Sequence, residues 1–372
     1  MGSVTFQLKE NTVTVARRDL AAFLQALEER WKSTPLTIVI DGKALEVPKE
    51  ALGVHWNITA MKRMAKRGEQ VTPCVRWDEK NVLAFLQDLR EKTLLFPQSA
   101  FWKEDRFIPA QMGRELNIEQ TLKALEDAFA TWSDTITVDA FDPIPPERGN
   151  EEVLKERGIA HLLASFATSL EGRDEDVVFN INKAASSISG TFLPRGAIFS
   201  FNAVVGKAEK EDGYRRTQIL SNGRLVPGYG GGVCQVATTL YNALLRTEAE
   251  ILERHPHSGY SPTTNYVPPG LDAAVSYGSK DLRFRFASQN VVILAYIKGN
   301  LLVCEIWGEK ENVVTTKIRQ KLRKIAQLGE NEGILTVETS IARRGAQSLS
   351  FTDTYLIPWD FAQEVTQSFP DS

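Results

Sequence analysis

Apolar side chains at Leu20, Phe23, Leu24, Leu27 and Trp31 recur every three or four residues, which predicts a helix with Asp19 placed to cap it. From Leu36 to Val47 the period changes. The runs Thr37-Ile38-Val39-Ile40 and Ala44-Leu45-Glu46-Val47 flank Asp41-Gly42, the signature of a tight hairpin. A weak repeat follows: Gly53-Val54-His55-Trp56-Asn57-Ile58 and Gly113-Arg114-Glu115-Leu116-Asn117-Ile118 each open a helical stretch. Each copy is preceded by a short strand ending in proline (Val47-Pro48, Ile108-Pro109), and each asparagine is placed to cap the helix behind it. The pattern predicts an N-terminal α+β domain of two related halves over residues 1–141.

The run Asp142-Pro143-Ile144-Pro145-Pro146-Glu147-Arg148-Gly149-Asn150 suits neither a helix nor a central strand, so residues 142–150 are expected to link two domains. Residues 151–310 then read as a β-rich domain around one central helix. A helix is expected near Asn180–Ser189, and the central one from Gln235 to Arg246, after three glycines. Strand-like pieces follow at Asp272–Tyr277, Asp281–Ala287, Val291–Lys298 and Leu301–Trp307, the last two joined by the turn pair Gly299-Asn300. Residues 311–372 form a C-terminal strand-containing extension. Its basic run from Lys317 to Lys324 reads as a solvated face, and Gly333–Val337 as a strand. The expected class is α+β, with several domains.

Composition narrows the function. Of 372 residues 24% are charged, and 47 acidic against 44 basic side chains leave a formal charge of −3, which gives no electrostatic case for a nucleic-acid partner. No apolar run approaches the ~18 residues needed to span a bilayer, and the N-terminus lacks the charged-then-apolar pattern of a signal. Met1-Gly2-Ser3 is also what expression cloning leaves where a signal or anchor has been removed, so the start of the chain does not fix the compartment. Three separated cysteines, Cys74, Cys234 and Cys304, make no disulfide framework, and without a CxxC or HExxH motif neither a metal nor a cofactor is expected.

Gly230-Gly231-Gly232 is costly in backbone entropy, and its position before a helix implies outward-facing N–H groups or a close approach by another group. The group it delivers is the Cys234 thiol, where a helix N-terminus favours thiolate and glycine N–H groups can cradle an oxyanion. Of the four histidines, two follow in Glu253-Arg254-His255-Pro256-His257-Ser258. His257 is the better proton carrier, because Pro256 pins His255 in an extended conformation. Asp272 or Asp281 would orient it. The plain alternative is a helix packed closely on a glycine turn, with Cys234 as inert as Cys74 and Cys304 are expected to be, and with His55 and His161 structural.

The segment from Val177 to Gly308 resembles the VanW domain, named from vancomycin-resistance gene clusters. The resemblance is carried by Pro194-Arg195-Gly196-Ala197-Ile198-Phe199-Ser200-Phe201-Asn202, by Gly230–Ala243 with its Gly-Gly-Gly-Val-Cys-Gln core, by Glu253–Ser258, and by Tyr266-Val267-Pro268-Pro269-Gly270-Leu271-Asp272-Ala273. Pro194-Arg195-Gly196 departs from the family's usual Pro-Gly pair. Residues 36–135, through their Gly-x-x-x-Asn-Ile helix openings, resemble the peptidoglycan-binding domain that precedes VanW domains in Gram-positive wall proteins; such proteins typically carry a membrane anchor, and no segment of this sequence is expected to serve as one.

The resemblance implies a peptidoglycan-modifying cysteine acyltransferase, an L,D-transpeptidase that cross-links stem peptides through a Cys234 thioester. On this reading Cys234, His257 and Asp272 are catalytic, and Gly231, Gly232, Gln235, Arg254, His255 and Tyr266 bind substrate. Arg254 either meets a stem carboxylate or belongs to a structural ion pair. The implied partners are stem peptides and glycan, and the implied location is the outer face or wall of a bacterium, with the cytoplasm left open. Two alternatives stand beside it: a cysteine carboxypeptidase or amidase on the same stems, and a wall-binding protein without catalysis.

Overall fold

The computed structural model describes residues 2–221, 224–260, 266–367 and 369. Met1, the first residue of the Met1-Gly2-Ser3 opening, and parts of the last few residues lie outside them. The chain divides into two compact units, Met1–Gln98 with Gln111–Glu147, and Ser99–Ala110 with Arg148–Ser372.

The first unit is mixed α+β. Strand Leu36–Ile40 lies between Lys43–Val47, its hairpin partner, and Thr135–Val138, which pairs with it in parallel. The Asp41-Gly42 turn has φ of 50° and 74°, the positive pair that a type I′ hairpin turn requires. Helices Leu20–Lys32, Ile58–Lys66, Glu79–Thr93 and Ile118–Ala130 bury Leu24, Met61, Leu86 and Phe129 in one core with Leu36 and Ile38. Asn57 and Asn117 do cap their helices, accepting from Ala60 N at 3.2 Å and Gln120 N at 2.9 Å. Asp19 stands at the head of its helix but makes no side-chain cap, and its exposed carboxylate turns to Arg18 instead.

Two boundaries differ from the sequence reading. Phe141–Ile144 is a strand paired with Gly113–Leu116, so Asp142 and Pro143 belong to a sheet edge rather than to a linker. Residues 99–110 belong to the second unit, because buried Phe107 and half-buried Trp102 pack with Val153, Leu154 and Ile159. The strand Arg106–Ile108 therefore cannot serve as the lead-in of a second N-terminal half.

The second unit is built on a six-stranded antiparallel sheet in the order His161–Ser169, Leu301–Gly308, Val291–Lys298, Thr191–Leu193, Arg106–Ile108, Phe101–Lys103. Two helices pack on it, Glu175–Ile188 and Val233–Leu244, where the sequence suggested one at the centre. Val233–Leu244 is buried on every side from Gln235 onward, so its polar residues must find partners inside. Those partners explain why Asp272–Tyr277 is an irregular segment and not the expected strand. Thr238 Oγ1 accepts from Ala273 N at 2.9 Å and Asn242 Nδ2 donates to Leu271 O at 2.8 Å, so helix side chains satisfy its backbone in place of a strand ladder. Of the stretch Asp281–Ala287, only Arg283–Arg285 is a strand.

Strands Thr315–Gln327, Glu332–Arg344 and Leu349–Pro358 form an antiparallel meander within this same unit. In the first of them Lys317, Arg319, Lys321 and Arg323 take the exposed alternate positions, a solvated face as the charge run implied. On the meander's inner face, Leu335, Val337, Tyr355 and Ile357 are buried with Tyr260 and Phe361. No helix among the described residues is long and apolar enough to cross a membrane.

Candidate active site

The glycine triplet both turns the chain and lets the buried helix start in contact with its neighbours. Gly232 heads the helix at φ 102°, and a Cβ there would sit 2.6 Å from Ile181 Cγ1; one on Gly231 would sit 2.1 Å from Thr217 Oγ1. The geometry leaves no room for a side chain in either place. Cys234 is the second residue of the helix, in the first turn, where the dipole is positive; the flanking Val233 and Gln235 N–H groups donate to Gly230 O at 3.1 Å and Gly232 O at 2.9 Å.

Around its half-buried sulfur the partners are specific. Val275 N–H donates to Sγ at 3.4 Å, and Val275 O lies at the same distance on the acceptor side. The His257 ring stands beside Cys234, and its bonding and charge act on the thiol. Its Nδ1 is occupied by Asp272 Oδ2 at 2.7 Å, which leaves Nε2 for the sulfur. The His257 backbone N–H donates to the same Oδ2 at 2.7 Å. Asp272 Oδ1 accepts from Arg254 Nη2 at 3.0 Å and from the Tyr355 hydroxyl at 2.6 Å. Arg254 Nε donates to the Asp272 carbonyl at 2.6 Å, and Nη1 to Asp353 Oδ2, also at 2.6 Å.

Protonation follows from these contacts. Burial alone would raise the Asp272 pKa, but the His257 bond and charge, Arg254 and Tyr355 together hold it well below the carboxylate range. For His257 burial works downward, and the bonds to Asp272 and Cys234 overcome it, pushing the imidazole up to about 10. Burial pushes the Cys234 thiol up; the His257 bond and charge, with the Val275 N–H, outweigh burial and the opposing Asp272 charge, and the net direction is downward. Both directions favour an ion pair of thiolate and imidazolium over the neutral pair. Tyr266 is pushed far up by burial and by the Cys234 and Asp272 charges, and stays a neutral phenol.

A direct consequence can be measured. In a short iodoacetamide pulse at neutral pH, Cys234 should be labelled at least about tenfold faster than half-buried Cys74, whose thiol burial pushes up. Peptide mass spectrometry reads the ratio, and equal labelling would contradict the ion pair.

Cys234, His257, Gly231, Gly232, Gln235 and Tyr266 line one cleft of about 480 Å³, with Asp272 behind His257. Two expected substrate contacts lie elsewhere. Arg254 sits behind Asp272, its side chain 7% exposed and its guanidinium divided between Asp272 and Asp353, so the structural ion pair is the arrangement found. His255 pairs with Glu253 at 3.0 Å and does not line the cleft. Gln235 is at the wall, but its Nε2 is taken up by Thr168 Oγ1 and Ser169 O at 3.0 and 2.8 Å. Asp281 is not the orienting carboxylate; it accepts from Ser200 Oγ at 2.6 Å and Asn202 N at 2.9 Å. Cys304 is fully buried, as expected of a small hydrophobe.

Sequence reasoning missed Tyr355 and Asp353. A signal was present: in Leu349–Pro358 the inward positions run Phe351, Asp353, Tyr355, Ile357, so a carboxylate interrupts an apolar face of period two.

The chain is thus an α+β protein with a Cys–His–Asp constellation at the mouth of a buried helix. It carries a VanW-like domain: residues 177–307, all in the second unit, match the family described as VanW like protein. It is 33% identical over 167 residues to the uncharacterized protein YoaR of Bacillus subtilis, covering 44% of this chain and 54% of that one. It is also 33% identical over 114 residues to the Vancomycin B-type resistance protein VanW of Enterococcus faecalis, covering 30% of this chain and 41% of that one. The chain therefore spans about half the length of these curated relatives or less. No solved structure matches it.

Proposed function

We propose that this chain acts on the bacterial cell wall, with Cys234 as the nucleophile of acyl transfer on peptidoglycan stem peptides. The observation that carries the reading is a cleft of about 480 Å³ lined by both Cys234 and His257, with the buried Asp272 carboxylate holding the His257 ring. The vancomycin-resistance name of one relative supports the wall as the setting.

In the first half-reaction Sγ attacks the carbonyl carbon of the residue before a terminal D-alanine. The carbonyl electrons move onto oxygen, where the positive end of the helix dipole stabilises them. Collapse expels the D-alanine amine, which takes the Nε2 proton of His257 and leaves a thioester beside a neutral imidazole. In the second half-reaction a side-chain amine of a neighbouring stem attacks the thioester, the imidazole takes its proton, and Sγ departs as thiolate. The ion pair is restored. On this reading the first unit holds glycan or stem peptide, and the protein works at the outer face of the cell.

The test is incubation of the purified chain with disaccharide tetrapeptides, followed by mass spectrometry. Cross-linked dimers are expected, with one D-alanine released per link. D-alanine release without dimers would make water the acceptor and the protein a carboxypeptidase. Neither product, with substrate binding retained, would overturn catalysis and leave a wall-binding protein.

A further inference from the structure

Asp272 is held by a sheet that lies beyond the matched domain. Tyr355 and Asp353 belong to Leu349–Pro358, whereas the family match ends at residue 307. A carboxylate can rotate about its Cβ–Cγ bond, so pointing one edge at an imidazole requires the other edge to be held. Here Oδ2 takes both His257 donors, and Oδ1 takes Arg254 and Tyr355.

The Tyr355 hydroxyl has one hydrogen to donate. It accepts from Gly270 N–H at 2.7 Å, which leaves two possible acceptors for its own proton, Asp272 Oδ1 at 2.6 Å and Asp353 Oδ2 at 3.4 Å. Distance selects Asp272. The ring is fully buried and edge-on to Tyr260, with centroids 6.0 Å apart, so the donor cannot swing away. Asp353 plays the matching part for Arg254 by occupying Nη1, which keeps Nη2 on Asp272.

We infer that Tyr355, supported by Asp353, is a positioning residue for Cys234: the C-terminal sheet fixes the Asp272 carboxylate, and through it the His257 ring against the sulfur. The inference rests on the reading of Cys234 as a thiolate paired with His257, not on any particular substrate. A structural role alone, the satisfaction of a buried hydroxyl, would make Tyr355 matter for stability and leave the thiol unchanged.

The experiment compares the full chain with Tyr355→Phe and Asp353→Asn by following Cys234 alkylation against pH, with thermal unfolding as a separate reading. The groups that bear on the profile are His257, Tyr266 and Asp272 around the sulfur, and Arg254, Tyr355, Asp353, Tyr260 and Tyr241 around the carboxylate. In Tyr355→Phe a hydrogen bond to a charged group is lost, and the alkylation midpoint should rise so that labelling at neutral pH slows by up to about tenfold. Asp353→Asn should move it the same way by less, and it stands as the test if the phenylalanine variant does not fold. Lowered thermal stability with an unmoved midpoint overturns the inference. An ordinary thiol midpoint in the unsubstituted protein overturns both the ion pair and the inference. Absence of peptide turnover with the midpoint shifts intact overturns the proposed reaction alone.

Discussion

Cys234→Ala should abolish D-alanine release and cross-link formation, lowering turnover by ~10⁴ or more, the scale on which loss of the nucleophile disables acyl-transfer triads. The helix mouth and the cleft survive the substitution, because what is removed is one sulfur atom at a half-buried position. Binding of the tetrapeptide should therefore persist while chemistry stops. Cys234→Ser should be nearly as inactive, since a serine hydroxyl is far harder to ionise beside His257 than a thiol. Cys304 is the internal control, being fully buried on the sheet with its thiol pushed far up by burial, so alkylation there cannot account for lost activity. Turnover that survives in Cys234→Ala, measured as D-alanine released, would remove Cys234 from the chemistry.

How much of this could be read from the sequence depended on the range of the interaction involved. The Asp41-Gly42 hairpin and the Asn57 and Asn117 caps were legible because each is settled within a few residues. The place of Cys234 at a helix mouth behind Gly231 and Gly232 was legible for the same reason. The choice between Asp272 and Asp281 was not, since both sit in similar short segments and only the fold shows which one faces an imidazole. Arg254 could be read either way because a guanidinium fits a ligand carboxylate and a buried one equally well. Tyr355 was out of reach: it meets Asp272 across 83 residues, through a meander whose strand periodicity says which side chains point inward but not what they touch. Residues 99–110 went to the wrong unit on the same grounds, since their strand and proline signals are local while the burial of Phe107 among Val153, Leu154 and Ile159 is not.

The largest effect on stability is expected from Arg254→Met, which removes the cation shared by two buried carboxylates. Methionine replaces much of the volume and none of the charge. Asp272, 1% exposed, keeps His257 and Tyr355, while Asp353, 5% exposed, loses its ion-pair partner and repels Asp272. Breaking one side of such a pair costs about 3–5 kcal/mol, which corresponds to a fall of about 10 °C in melting temperature for a unit of this size. The pH dependence has a definite sign. Asp272 titrates lower in the folded chain than in the unfolded one, so its contribution is present above about pH 4 and is lost as pH falls toward the folded value. Asp353 has the opposite sign, because burial already raises its pKa and Arg254 only partly offsets this. Without Arg254 that rise grows, and protonation of Asp353 relieves the variant as the medium becomes acidic. The gap in melting temperature between parent and variant should therefore be widest near neutral pH and narrow as pH falls through the carboxylate range. Scanning calorimetry at pH 7 and again between about pH 4 and 5 measures it, and a gap that stays constant or widens in acid would contradict this account of the Arg254 network.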